Sequence, residues 1–168
     1  HPVSEEVTGV DLIKEQIRLA GGEKLGYGQD AVKLRGSAIE CRINAEDPDD
    51  DFRPSPGTIT FFSPPGGPGV RLDTHIYTGY VVPAHYDPLL AKLIVWGEDR
   101  MQAIARGRRA LMEFTLHGSG HNIPFHLWAL ERPRFLDGSY TTHVIDERFD
   151  PAEFLDPLPE DDREALLA

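Results

Sequence analysis

The sequence predicts an α+β domain, mainly an antiparallel sheet or partial barrel with flanking helices. Three observations lead there. Five short segments carry strand-type patterns, Gly- and Pro-rich turns separate them, and helical periodicity appears only before and after that block.

In chain order, "VTGVDLIKEQIRLA" (7–20) predicts an amphipathic helix, with Val10, Ile13, Ile17 and Ala20 at helical spacing. Thr8 is its expected N-cap, Asp11 stands near the positive helix end, and Gly21-Gly22 ends it. Residues 23–34 form a polar connection. "SAIECRIN" alternates, placing Ile39, Cys41 and Ile43 on one side and Glu40, Arg42 and Asn44 on the other. Further strands are expected at 58–62, 69–73, 75–82 and 91–97, the first two separated by "SPPGGPG". Asp99 caps an expected helix at 100–114 with Met101, Ile104, Ala105, Leu111 and Met112 on one side. Gly107 weakens that helix by roughly 1 kcal/mol relative to Ala. After "HGSGHN", Pro124 opens a short helix, and the acidic end of the chain, with three prolines, reads as a linker.

The 168 residues suit about one domain with a real core, and 40% apolar with 27% charged residues is an ordinary globular balance. A net charge of −11 argues against nucleic acid or an anionic membrane as the main partner. One cysteine, Cys41, excludes an internal disulfide and suits a cytoplasmic setting. No apolar run has membrane-spanning length and no signal peptide is seen. The first residue is His1, so a longer polypeptide is the expected source.

Chemistry-bearing residues are sparse. Asp47, Asp49 and Asp51 alternate like calcium ligands, but Phe52 and Thr58 stand where that loop needs Gly and Glu, so a solvated turn is expected. His117, His121 and His126 lack a zinc spacing and a cysteine partner, so no metal is expected. There is no Walker loop, dinucleotide fingerprint or nucleophile elbow. Arg42 admits two readings: a sheet arginine paired with Glu40 or Glu46, or a charged fork that holds an anion or developing oxyanion. Local sequence leaves both open.

Three stretches in this order and spacing resemble the C-terminal part of biotin carboxylase. They are "HPVSEEVTGVDLIKEQIRLAGGEKL", "RGSAIECRINAEDPDDDFRPSPGTI" and "GVRLDTHIYTGYVVPAHYDPLLAKLIVWGEDRMQAIARGRRAL", and the resemblance runs over residues 1–145. It implies an ATP-grasp enzyme in which ATP and bicarbonate give carboxyphosphate, whose carboxyl group passes to biotin on a carrier protein. It assigns 1–22 to a helix continuing from an ATP-grasp domain, 35–145 to the C-terminal domain and 146–168 to an acidic tail or linker.

By the "ECRINAEDP" motif, Arg42 corresponds to the arginine that contacts biotin, the expected catalytic residue of this chain. Asp87 in "HYDPLLAK" stands where an aspartate would orient Arg42, with a turn before Pro88 as the plain alternative. His143 falls near the adenine side of the nucleotide cleft, and Arg71 is retained at the expected homodimer contact. Arg53 and Pro68 depart from the family pattern. The resemblance places the catalytic base, the ATP lysines and the magnesium ligands upstream of His1, so the isolated chain is expected to be inactive. The expected cofactors of the whole enzyme are carrier-bound biotin, ATP and Mg2+. Its expected partners are the biotin carrier and a carboxyltransferase of an acetyl-CoA or other acyl-CoA carboxylase. The alternatives are a pyruvate carboxylase fragment, a non-catalytic dimerisation or carrier-docking module, and a free-standing acidic binding protein.

Overall fold

A computed structural model describes residues 1–143. The acidic tail expected from residue 146 lies outside the described residues.

The N-terminal helix expected at 7–20 is two helices, α1 (Pro2–Thr8) and α2 (Leu12–Ala20). The break has a local cause. Gly9 adopts a left-handed conformation (φ 72°) and its N–H donates to Glu5 O at 2.7 Å, closing α1. Asp11, not Thr8, caps α2: its Oδ1 accepts from Lys14 N–H at 2.9 Å. Thr8 instead donates back to Ser4 O within α1. The apolar stripe of α2 stays open, with Ile13 60% and Ile17 68% exposed.

After a 3₁₀ turn (Gln29–Ala31), β1 (Ser37–Asn44) begins a three-stranded antiparallel sheet. Short β2 (Glu46–Asp47) and β3 (Arg53–Pro54) pair around the acidic turn, and β4 (Phe61–Ser63) follows. β5 (Val70–Thr74) and β6 (Leu89–Gly97) complete the main sheet in the order β1-β6-β5. The sheet is open, not a closed barrel.

The strand expected at 75–82 does not form. Gly79 takes φ +95° and the Ile76 N–H is held by Thr74 Oγ1, which turns the chain instead of extending it. Contact with 57–60 survives as one bridge, Thr58 to Val81, and separate backbone bonds such as Ile59 N–H to Tyr80 O. Regular pairing of the 58–62 segment therefore starts only at Phe61.

Asp99 caps α3 (Arg100–Glu113), accepting from Gln102 N–H at 2.8 Å. Its buried face is Ala103, Ile104, Gly107, Ala110 and Leu111. Met101, Ala105 and Met112 lie to one side of that stripe and are exposed, contrary to the sequence expectation. Gly107 is explained by close packing: an added Cβ would lie 3.3 Å from Leu130 and 3.4 Å from Val95. β7 (Thr115–His117) pairs with β4, and α4 (Ile123–Glu131) and α5 (Pro133–Asp137) close the described fold.

The core lies between the sheet and α3. Ile39, Cys41 and Ile43 of β1 meet Ala91, Leu93 and Val95 of β6 across the sheet. Ile94 points to the opposite face, where α1 packs on β1 and β6. That second face carries the charged residues.

Candidate functional site

Antiparallel register builds the charged face row by row. One row is Glu40–Ile94–Arg71 and the next is Arg42–Lys92–Asp73. The alternation that buries Cys41 and Ile43 therefore directs Arg42 away from the core. Its side chain is 58% exposed, and its Nε donates to Glu40 Oε1 at 3.3 Å. Glu40 is itself only 10% exposed, so a largely buried carboxylate sits beside an exposed guanidinium.

Arg71 is tied differently. Nε and Nη2 donate to Asp73 at 2.8 and 2.7 Å, and Nη1 reaches both Glu5 and Glu6 at 3.2 Å. Hydrogen bonding to Asp73, with help from Glu5 and Glu6, holds its pKa above the ordinary arginine value. The residue expected at a homodimer contact thus fastens α1 to β5 within this chain.

An open cleft of about 980 Å³ is lined by α1, α2 and this face, with Glu5, Glu6, Lys14, Arg71, Asp73 and Lys92 among its lining residues. Lys92 pairs in register with Arg42. Sequence reasoning passed over Lys92. Its signal was a single charge within the otherwise apolar strand "LLAKLIVWG".

Among the described residues, no hydrogen bond or ion pair joins Asp87 to Arg42. Its Oδ1 accepts from Leu89 N–H at 2.8 Å, an Asx turn that leads into β6. The carboxylate lines a separate pocket of about 340 Å³ with His75, Tyr80, Val82, Tyr86 and Leu90. His143 lies beyond α5, outside both linings, with its N–H donating to Thr141 Oγ1.

The acidic loop closes on itself. Asp47 Oδ1 accepts from Asp49 N–H at the 3₁₀ turn Pro48–Asp50, and Arg53 pairs with Asp50 at 2.9 Å. Among the described residues, no group of three or more His, Cys, Asp and Glu could hold a metal ion. Burial, then the charge of Glu40, pushes the Cys41 thiol up to about 12, so it is an inert core group. Burial lowers the pKa of His121 and of His126, favouring their neutral forms. No helix among the described residues is long and apolar enough to cross a membrane.

Known proteins resemble this chain over most of its length. Residues 40–147 match the biotin carboxylase C-terminal domain, and residues 1–27 match the carbamoyl-phosphate synthase L chain ATP binding domain. The chain is 58% identical over 147 residues to a biotin carboxylase of Nostoc sp., covering 88% of this chain and 33% of that protein. It is 51% identical over 147 residues to one of the pyruvate carboxylase subunits of Methanothermobacter thermautotrophicus, covering 88% of this chain and 30% of that one. The biotin carboxylase domain of Hydrogenobacter thermophilus 2-oxoglutarate carboxylase, solved with MgADP and bicarbonate, superposes with a TM-score of 0.85 at 44% identity. That match covers 88% of this chain and 32% of that one. The chain spans about a third of the length of these relatives.

Proposed function

Because this chain belongs to the biotin carboxylase C-terminal domain family, we propose that it forms the C-terminal part of a biotin carboxylase and presents Arg42 to biotin. In that enzyme, ATP and bicarbonate supply an activated carboxyl group for a ureido nitrogen of carrier-bound biotin. The family resemblance puts the residues that grip ATP and hold magnesium upstream of this chain. ATP and Mg2+ are therefore assigned to an upstream portion, a reading supported by the ATP-binding match over residues 1–27.

Arg42 carries the proposal. When the ureido nitrogen loses its proton, negative charge grows on the ureido oxygen. A planar guanidinium can hold that charge with two aligned donors. Arg42 is exposed on the charged face, and Glu40 accepts from its Nε, so among the described residues its terminal nitrogens stay available as donors. On this reading Glu40, rather than Asp87, orients the arginine.

The proposed partners are a biotin carrier, a carboxyltransferase component and a second copy of the whole enzyme. The proposed setting is the cytoplasm. An acetyl-CoA or other acyl-CoA carboxylase is the first reading of the parent enzyme. Pyruvate carboxylase is the second, favoured by a TM-score of 0.87 and coverage of 99% of this chain against the complete Rhizobium etli enzyme, at 37% identity.

The isolated chain, supplied with ATP, bicarbonate and free biotin, is expected to release no phosphate above background. A polypeptide that adds the upstream portion is expected to turn over ATP with bicarbonate and to carboxylate biotin. Turnover by the isolated chain, or none by the longer polypeptide, overturns the proposal.

A further inference from the structure

The edge of β1 that faces away from β6 has no neighbouring strand in the main sheet. Unpaired edge groups normally go to water or to another chain. Here side chains at the start of α4 take them, at Arg42 and Asn44. Asn44 N–H donates to Asn122 Oδ1 at 2.9 Å, and Asn122 Nδ2 donates to Arg42 O at 3.1 Å. The side-chain amide of Asn122 thus does what a peptide group of an adjacent strand would do. Asn122 N–H also donates to Asn44 O at 3.3 Å. His126 Nε2 donates to the same Arg42 O at 2.9 Å, which requires the tautomer with hydrogen on Nε2.

We propose that Asn122 and His126 are positioning residues that set the place and direction of Arg42 by bracketing its backbone carbonyl. The proposal rests on the assignment of Arg42 to biotin.

The bracket is anchored at its far end. Asn122 is only 5% exposed, and it follows directly from the "HGSGH" loop. Ser119 Oγ donates to Ser55 O, and Gly120 N–H donates to Ser55 Oγ at 2.9 Å, bolting that loop to "PSPG". His126 N–H donates to Asn122 O at 3.2 Å in the first turn of α4, so the two bracket residues move together. Burial keeps the His126 ring neutral, which suits a donor to a carbonyl. The consequence lies in geometry. The Arg42 side chain is exposed and has little packing of its own, so its reach is decided by where the strand holds its Cα. Misplacement by about 1 Å can cost on the order of a hundredfold in rate.

The test uses the full-length polypeptide that carries this chain, with kinetics in biotin and in ATP measured separately. His126→Leu is expected to lower kcat/KM for biotin by about ten- to a hundredfold, with KM for ATP within about twofold. His126→Gln, whose side-chain amide retains a donor, is expected to restore most of the loss. Asn122→Asp, which keeps an acceptor for Asn44 N–H but loses the donor to Arg42 O, is expected to show the same biotin-selective loss. Normal biotin kinetics in His126→Leu, or equal losses for ATP and biotin without rescue by Gln, overturn the inference. Arg42→Ala is the control. If it is impaired while the bracket variants are normal, only the inference fails; if it is normal, the assignment of Arg42 fails as well. Should the variants not fold, amide exchange in the unmodified protein decides: a protected Asn44 N–H supports the bracket and a freely exchanging one contradicts it.

Discussion

Replacing Arg42 with Ala in the full-length polypeptide is expected to lower kcat/KM for biotin carboxylation by on the order of 10²–10³-fold, the loss typical of removing one preorganised donor to a developing oxyanion. The fold should hardly notice. The side chain is 58% exposed, and its ion pair to Glu40 is of the kind that contributes about 0–1 kcal/mol. The backbone bonds to Asn122 and His126 do not depend on the side chain and remain. Melting temperature should therefore move by no more than a few degrees. Arg42→Lys keeps the charge but replaces the planar fork with a strongly hydrated point charge, so it should recover only a small part of the rate. A non-catalytic dimerisation module makes the opposite demand, with activity surviving and dimers lost. Steady-state kinetics, a thermal melt and sedimentation on the same variants separate the two.

Gly118→Ala is expected to destabilise the domain by roughly 3 kcal/mol or more. Two independent penalties meet there. Gly118 has φ +97°, a region that L side chains rarely adopt, and its added Cβ would lie 2.0 Å from Thr58 O and 2.8 Å from Thr60 N. Neither atom belongs to a flexible side chain. Both flank Ile59, which is fully buried, and Thr60 N–H is bonded to His117 O at 2.9 Å, so the segment cannot give way cheaply. A fall in Tm of about 10 °C or more follows. Gly66→Ala is the control, because an added Cβ there meets nothing within 4 Å, and its effect should stay within about 0.5 kcal/mol. The "HGSGHN" loop thus serves as a close backbone contact that delivers Asn122 to β1.

The sequence showed most where structure follows local pattern. The alternation of Ile39, Cys41 and Ile43 against Glu40, Arg42 and Asn44 gave both the strand and the face from which Arg42 projects. Asp99 and Pro124 marked helix starts by capping and by fixed φ. Errors arose where two local signals competed. The apolar spacing from Val10 to Ala20 hid a helix end at Gly9 and a new cap at Asp11. Apolar content put Met101 and Met112 in the core, although the stripe from Ala103 to Leu111 already filled the face toward the sheet. The 75–82 segment has strand composition, but Thr74 and Gly79 turn it.

The site was legible only in part. Arg42 was visible on the polar side of an alternating strand, but its role came from resemblance rather than from spacing. Glu40, two residues away, was among its foreseen partners and is the one that it takes. Asn122 and His126 could not be read at all, because they meet Arg42 O from 80 and 84 residues away in sequence. No periodicity reports such a contact; it exists only once α4 docks on β1.

Presentation of Arg42 to the ureido group of biotin is tested most directly by a crystal structure of the full-length polypeptide with biotin, ADP and bicarbonate. The ureido oxygen is expected within about 3 Å of the Arg42 guanidinium nitrogens, with Glu40 still accepting from Nε. A ureido ring seated instead in the pocket of His75, Tyr80 and Asp87, out of reach of Arg42, would contradict that role.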